Sequence, residues 1–275
     1  MDLNSITQMY RPTSIDFLPE WREGYARLAG GAWLFSEPQP STRALVDLES
    51  LSWPALRLQP DGLEIAATCT IAELNAFRAP LELKASPLFR ECSQSLQASF
   101  KIWNAATVGG NICLSLPAGA MIALTSALEG VGTIWSRNGA SREVPIVDFV
   151  TGNHTNVLAP GELLRQVWLP GSALRKRFAF RRFSLTSLGR SSVLLIGTLC
   201  PIRRALRLTV TAATVRPIQL VFEPFPSAAG LISALDELVR RDLFFDDPHG
   251  SSEHCRHLTY HYAEQIRIEL GTVDH

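Results

Sequence analysis

The residues of this sequence that could do chemistry are two glycine pairs, each within a short loop. Gly30-Gly31 comes early in the chain, and Gly109-Gly110 comes much later, flanked by Thr107 and Asn111. Glycine lacks a Cβ and accepts φ > 0, so successive backbone N–H groups of such loops can converge on phosphate oxygens. The two loops can therefore hold the two sides of a pyrophosphate, although paired glycines also serve as simple turns.

Neighbouring residues could add to such an anion site. A helix starting at Pro117 behind the second loop would contribute the favourable dipole of its N-terminus. Trp33 and Trp103 stand beside the loops and could cover an aromatic ring, with burial in the core as the alternative.

Other catalytic and metal-binding patterns carry little weight. The sequence has no G-x-G-x-x-G, G-x-x-x-x-G-K-[ST] or G-x-S-x-G motif. His254, His257 and His261 have a helical spacing that a metal could use, but no positioned carboxylate accompanies them. The five cysteines include no C-x-x-C pair, so any iron–sulfur cluster must sit on another chain. We predict neither a catalytic side chain nor a metal site.

The composition is that of an ordinary globular protein, with 46% hydrophobic and 19% charged residues over 275 positions. Lys and Arg total 26 and Asp and Glu total 26, so there is no basic excess to bind nucleic acid. The N-terminal segment has no apolar signal core, and no apolar run reaches the ~20 residues of a membrane span. We expect a cytoplasmic protein of roughly two domains.

Three segments follow from the periodicity and the turn residues. The first, up to about Pro60, is predicted to contain a helix at Leu18–Arg27, a turn at Gly30–Gly31 and a strand at Ala44–Leu48. The second segment opens with a strand at Leu63–Thr68, and a capping box at Thr70 and Glu73 starts a helix at Ile71. Its other predicted elements are helices at Phe89–Trp103 and Pro117–Glu129, strands at Val131–Ser136 and Arg142–Val144 joined by an Asn138-Gly139 hairpin turn, and a strand at Gly161–Pro170.

The third segment starts after the Pro170-Gly171 linker. Its predicted elements are strands at Arg177–Phe183 and Leu206–Thr214 and helices at Ala228–Arg240 and Ser252–Leu270. An apolar stripe of Leu258, Tyr262, Ile266 and Leu270 is expected to dock the last helix. This order favours an α+β fold with antiparallel strands and helices on one face.

The flanks of the two loops carry a resemblance to one family. The segments concerned, in chain order, are Leu28-Ala-Gly-Gly31, Val46-Asp-Leu48, Ile65-Ala-Ala-Thr-Cys-Thr70, Ile102-Trp-Asn-Ala-Ala-Thr-Val-Gly-Gly-Asn-Ile112, Val144-Pro-Ile-Val-Asp-Phe-Val-Thr-Gly152, Pro160-Gly-Glu-Leu-Leu164 and Ser252-Glu-His-Cys-Arg-His-Leu258. In this order they resemble the FAD-binding medium subunit of the xanthine dehydrogenase and carbon monoxide dehydrogenase family of molybdenum hydroxylases.

The resemblance implies a two-lobed FAD-binding domain of the PCMH type at residues 1–171, with lobes of about 1–60 and 61–171. A smaller α+β domain of the CO dehydrogenase flavoprotein type would occupy residues 172–275. It also implies noncovalent FAD, with partner subunits carrying the [2Fe–2S] clusters and the molybdenum cofactor. Electrons would pass from the clusters to an acceptor such as NAD⁺, dioxygen or a quinone. The implied FAD contacts are Ala29, Gly30, Gly31, Ala32, Trp33, Leu34, Ala106, Thr107, Gly109, Gly110 and Asn111.

The sequence departs from the family pattern at three positions around the loops. Ala32 replaces a polar residue, Trp103 replaces an arginine, and Ala120 replaces a carboxylate that contacts the flavin nucleotide. These departures leave open an FAD-free scaffold subunit. A stand-alone oxidoreductase with the related FAD fold, of the enolpyruvyl-sugar reductase type, is a further alternative. In the third segment, Arg181, Arg182 and Arg190 are the nearest candidates for a flavin contact, with pairing to acids as the alternative.

Overall fold

The computed structural model describes residues 4–96, 98–136, 139–186 and 189–272. The strands are β1 (Gln8–Tyr10), β2 (Tyr25–Leu28), β3 (Ala44–Asp47), β4 (Leu56–Gln59), β5 (Gly62–Ala66), β6 (Val131–Trp135), β7 (Ser141–Pro145), β8 (Val150–Gly152), β9 (Thr155–Asn156), β10 (Leu163–Pro170), β11 (Arg177–Phe183), β12 (Val193–Cys200), β13 (Ala205–Thr211) and β14 (Ile218–Phe222). The helices are α1 (Ile71–Ala76), α2 (Pro87–Ser95), α3 (Phe100–Trp103), α4 (Val108–Leu114), α5 (Ala120–Ala127), α6 (Ile146–Phe149), α7 (Gly171–Leu174), α8 (Ala228–Arg240) and α9 (Ser252–Gly271). The mixture of sheets and helices confirms the α+β class.

A small parallel sheet begins the fold, with strand order β1-β3-β2. The prediction of a helix at Leu18–Arg27 is wrong. Strand β2 includes the last residues of that range, and a short 3-10 turn at Ile15–Phe17 precedes the range. Gly24 has φ of +80°, and its carbonyl accepts the Arg43 N–H at 2.7 Å, which directs the chain into the sheet. Pairing with the buried strand β3 overrides the local helical spacing.

The second sheet is antiparallel, with strand order β4-β5-β10-β6-β7. Its strands confirm those predicted around Leu63, Val131, Arg142 and Gly161, and β4 joins this sheet from within the first predicted lobe. Asn138 of the predicted hairpin turn lies outside the described residues. Strands β8 and β9, which lie between β7 and β10 in the chain, pair with each other as a short antiparallel ribbon.

One core lies between this sheet and helices α1, α2, α4 and α5. Helix α5 lies within the helix predicted at Pro117–Glu129, and all of its residues are buried. The helix predicted at Phe89–Trp103 is instead two helices, α2 and α3, because Leu96 and Ser99 adopt extended backbone conformations. The chain therefore turns between the two helices before it reaches the second glycine loop.

The capping box predicted at the start of α1 is confirmed. Thr70 Oγ1 accepts the Glu73 N–H at 3.2 Å, and Glu73 Oε2 accepts the Thr70 N–H at 2.8 Å. Replacing Thr70 with alanine should lower the free energy of unfolding by about 1 kcal/mol, because one N-terminal amide loses its acceptor. Chemical denaturation measures this, and Thr70→Ser should stay near wild type. An alanine variant as stable as the serine variant would contradict the capping role.

The last sheet is antiparallel, with strand order β11-β12-β13-β14. Helices α8 and α9 cover one face through buried residues such as Leu235 and Ile266. On the other face, Leu194 and Ile196 of β12 join the core that contains α5. The predictions at Arg177, Leu206, Ala228 and Ser252 are confirmed, whereas β12 and β14 were not predicted.

No helix within the described ranges is both long and apolar enough to span a membrane.

Candidate functional site

A cleft of about 480 Å³ lies between the two glycine loops. All of the predicted contact residues except Gly109 line it. Trp103, which the sequence places beside the loops, also lines the cleft. The remaining lining residues were not predicted from the sequence; they are Arg27, Leu96, Ala98, Ile102, Cys113, Leu114 and Leu116. The fold thus brings the two glycine pairs to one place.

The two loops touch through their backbones at Gly30. A Cβ at Gly30 would lie only 1.3 Å from the carbonyl oxygen of Ala105 and 2.4 Å from its carbonyl carbon. Gly31 has φ of +70°, a backbone conformation that favours glycine. The first pair is therefore required for the approach of the loops and for the turn that follows.

The first loop offers unpaired backbone donors. In the described part of the chain, the N–H groups of residues 30–34 have no protein acceptor within hydrogen-bond distance. The carbonyls of Gly31 and Trp33 accept the N–H groups of Phe35 and Ser36, each at 2.9 Å, which fixes the loop as a tight turn. Consecutive free amides in a turn of this kind can bind an anion.

In the second loop, the N–H groups of residues 108–111 are all engaged within the protein. Val108 and Gly109 donate their N–H groups to the Cys69 and Ala67 carbonyls at 2.8 and 2.9 Å, and Gly110 donates to Thr107 Oγ1 at 3.0 Å. The helix that follows the loop directly is α4, which begins at Val108 with Thr107 as its N-cap. The helix expected to start at Pro117 begins at Ala120, as α5. Gly109 is buried, and the position has no room for a side chain because a Cβ would lie 2.4 Å from the Cβ of Ala67. This loop contributes the exposed backbone of Gly110 and the side chains of Thr107 and Asn111.

The charge in the cleft is positive. Arg27, near the end of β2, lines the cleft. No aspartate or glutamate is found among the described lining residues. Its guanidinium lies 4.3 Å above the Trp21 ring, and its Nε donates to the Glu162 carbonyl at 2.9 Å. Burial lowers the pKa of Arg27 to about 10, which leaves it charged at neutral pH. Burial also raises the pKa of the Cys113 thiol to about 12, so that thiol stays neutral.

Both tryptophans beside the loops line the cleft. Trp33 is 40% exposed and lies 5.9 Å from the His154 ring, measured between centroids. Trp103 also packs against the main core, and its buried Nε1 has no acceptor in the part of the chain that the structure describes. The indoles thus form part of the cleft wall.

The structure also places the positions that depart from the family pattern. Ala32 lines the cleft, whereas Ala120 is 1% exposed at the start of α5 and does not. Asn111 Oδ1 accepts the Met121 N–H at 3.0 Å, which ties α4 to the N-terminal turn of α5. The Asn111 amide nitrogen remains as a donor.

The arginines and histidines of the third segment have other contacts. Arg181 pairs with Glu269 at 2.5 Å and Arg190 with Asp247 at 3.0 Å, while Arg182 donates to Ser191 Oγ at 2.7 Å. His254 lies against Phe183, and His261 is 2.9 Å from Gln265. These side chains contact other residues of the same segment, and none of them lines the cleft.

Glu162 anchors the turn that holds Arg27. Its carboxylate accepts from Arg142 Nε and a terminal guanidinium nitrogen at 3.0 and 2.7 Å, and from the Ala159 N–H at 2.8 Å. The hydrogen bonds from Arg142, with those from Ala159 and Ser136, lower the pKa of Glu162 to about 2. This ion pair is partly exposed on the Arg142 side.

The pH dependence of stability follows from Glu162. Because its folded pKa lies below the usual value of 4.5, its stabilisation is present above pH 4.5 and is lost as pH falls towards about 2. We expect a loss on the order of 1 kcal/mol, since the pair is partly exposed. The free energy of unfolding, measured by denaturation from about pH 6 to about pH 2, the range in which carboxylates titrate, should fall less for Glu162→Gln than for the wild type. An equal loss of unfolding free energy at low pH in the two proteins would contradict the role of Glu162.

The donor set of the cleft fits the FAD that the resemblance implies. The free amides of the first loop and Arg27 are donors, and donors suit a pyrophosphate. The open side of Gly110, where a Cβ would meet only Thr107 Oγ1, leaves room for a ligand to approach the backbone.

Comparisons with known proteins agree with this geometry. Residues 5–172 match the family model described as the FAD binding domain in molybdopterin dehydrogenase. Xanthine dehydrogenase of Oryza sativa subsp. japonica is 31% identical over 121 residues, and xanthine dehydrogenase 2 of Arabidopsis thaliana is 28% identical over 122. Each alignment covers 42% of this chain and 9% of the relative, so the chain spans a small part of those proteins.

Solved structures have the same fold over nearly the whole chain. A chain of quinoline 2-oxidoreductase from Pseudomonas putida 86 has a TM-score of 0.76 at 20% identity, with 98% of both chains covered. A chain of CO dehydrogenase from Oligotropha carboxidovorans has a TM-score of 0.81 at 21% identity, with 98% of this chain and 99% of that chain covered. The family match confirms the resemblance seen in the sequence: the chain belongs to the family of FAD-binding domains of molybdopterin dehydrogenases.

Proposed function

We propose that the cleft binds FAD with its pyrophosphate against the first loop and Arg27. The observation that carries the proposal is the row of free amides at residues 30–34 beside an arginine without a carboxylate partner among the described residues. The second loop would contribute Thr107, Asn111 and the Gly110 backbone, and Gly109 would act by allowing α4 to pack closely. The other predicted contacts, Ala29, Ala32, Trp33, Leu34 and Ala106, would form the walls.

We further propose that the chain is an electron-transfer subunit of an oxidoreductase of this family. Bound FAD supplies the redox chemistry, and the chain positions it and limits its contact with water. The partners would be a small [2Fe–2S] subunit and a large molybdenum-cofactor subunit, with an acceptor such as NAD⁺, dioxygen or a quinone. Support comes from the similarity of the chain to xanthine and CO dehydrogenases. A boundary near residue 171 and a cytoplasmic location remain predictions.

The test is the visible absorption spectrum of the purified chain after incubation with FAD and gel filtration. Flavin bands that survive filtration at one FAD per chain are the expected result. A matched incubation with riboflavin, which lacks the pyrophosphate, should leave little flavin on the protein. A colourless chain, even when reconstituted with its partner subunits, would overturn FAD binding.

The FAD-free scaffold is the second candidate. It is favoured by the engaged amides of the second loop and by the lack of an acid among the described cleft residues to bind ribose hydroxyls. Stoichiometric FAD would exclude it. A stand-alone sugar-nucleotide reductase is not proposed, because the matched family is that of molybdopterin dehydrogenases.

A further inference from the structure

The turn at residues 159–162 connects the cleft with a surface ion pair. The Glu162 carbonyl accepts from Arg27 Nε, and the Glu162 carboxylate is held by Arg142 on β7. Arg142 also donates to the Val157 carbonyl at 2.8 Å, so it fixes the chain on both sides of the turn. Glu162 therefore contacts Arg27 through its main-chain carbonyl and Arg142 through its side chain.

Trp21 closes the other side of the same turn. Gly161 has φ of +88°, and a Cβ there would lie 3.2 Å from the Cβ of Trp21. Arg27 lies over the Trp21 ring, so the guanidinium has an indole on one face and a carbonyl at Nε. Neither of its terminal nitrogens has a hydrogen-bond partner among the described residues, so both are available to a ligand in the cleft.

The carboxylate of Glu162 has no direct route to a ligand, since Glu162 is not among the residues that line the cleft. Any effect of this carboxylate on the cleft has to pass through the position of the turn and hence through Arg27. Arginine presents its donors in a rigid planar fork, so a small shift of the guanidinium changes which donors reach a ligand.

We propose that Glu162 and Arg142 are positioning residues that hold the Arg27 guanidinium in the orientation in which it binds the pyrophosphate of FAD. This inference rests on the proposed function of the cleft. Loosening the turn should weaken FAD binding although neither residue touches the ligand.

The experiment measures FAD affinity by quenching of flavin fluorescence, on the full chain, for Glu162→Ala and Arg142→Gln. Each variant should bind FAD about tenfold more weakly, the usual effect of losing one hydrogen bond to a charged group. The same changes are then made in an Arg27→Lys background, which keeps the positive charge but lacks the Nε donor to the Glu162 carbonyl. There they should have no further effect.

The outcomes separate the possibilities. Equal weakening in both backgrounds, or no weakening in either, would overturn the positioning role. Arg142→Gln serves if Glu162→Ala does not fold, because Arg142 has a side chain that is 41% exposed. Failure of the wild-type chain to bind FAD would instead refute the proposed function, and the inference would fall with it.

Discussion

Replacing Gly30 with alanine is expected to abolish retention of FAD. The added Cβ would meet the carbonyl oxygen of Ala105 at 1.3 Å, and backbone atoms cannot move aside as a flexible side chain can. The loops must separate, which moves the free amides of the first loop away from Thr107 and Gly110 across the cleft. We expect at least a hundredfold loss of FAD affinity and a loss of about 1–3 kcal/mol in the free energy of unfolding, the range for forced overpacking.

Gly230→Ala in α8 is the matched control. A Cβ at Gly230 has ordinary van der Waals contact, 3.4 Å from Ser227 Oγ, and α8 is distant in sequence from the loops. Alanine there should stabilise the helix by about 0.5–1 kcal/mol and leave FAD binding unchanged. Gel filtration followed by absorption spectroscopy measures both variants. Stoichiometric FAD on Gly30→Ala would refute the required contact between the loops.

Local signals in the sequence were sufficient for the elements whose cause is local. The capping box at Thr70 and Glu73 defined the start of α1, and strand alternation at Arg177–Phe183 defined β11. Strand β12 was missed for a physical reason. Helices cover both faces of its sheet, so Val193–Cys200 is a nearly continuous buried run without the alternation that marks a half-exposed strand.

The composition of the site was less predictable than its location. The glycine pairs and their flanks identified the loops. Which loop has free amides depends on the tertiary contacts of Val108 and Gly109 with Cys69 and Ala67, and spacing along the chain does not reveal them.

Arg27 was missed because its segment was predicted as a helix. Read as a strand ending at Leu28, the segment places an arginine directly before the first loop, which would have marked it as a candidate.

Replacing Arg27 with glutamine should weaken FAD binding by about ten- to a hundredfold, the range for losing a hydrogen bond between charged partners. Arg27 is the one lysine, arginine or histidine among the described residues that line the cleft, so no other side chain there compensates the charge of a pyrophosphate. The affinity of the wild-type chain should fall as ionic strength rises, because mobile ions screen the attraction between Arg27 and the pyrophosphate. The variant should show a smaller dependence on salt.

Arg22→Gln is the control for this charge change. Arg22 precedes the same strand, its side chain is 69% exposed, and its ion pair with Glu20 is 3.7 Å long at the surface. It removes the same unit of net charge, so a general electrostatic effect would appear in both variants. A selective loss in Arg27→Gln would identify a direct contact with the ligand. Equal affinities for the two variants would mean that the free amides of residues 30–34 bind the pyrophosphate without help from the arginine.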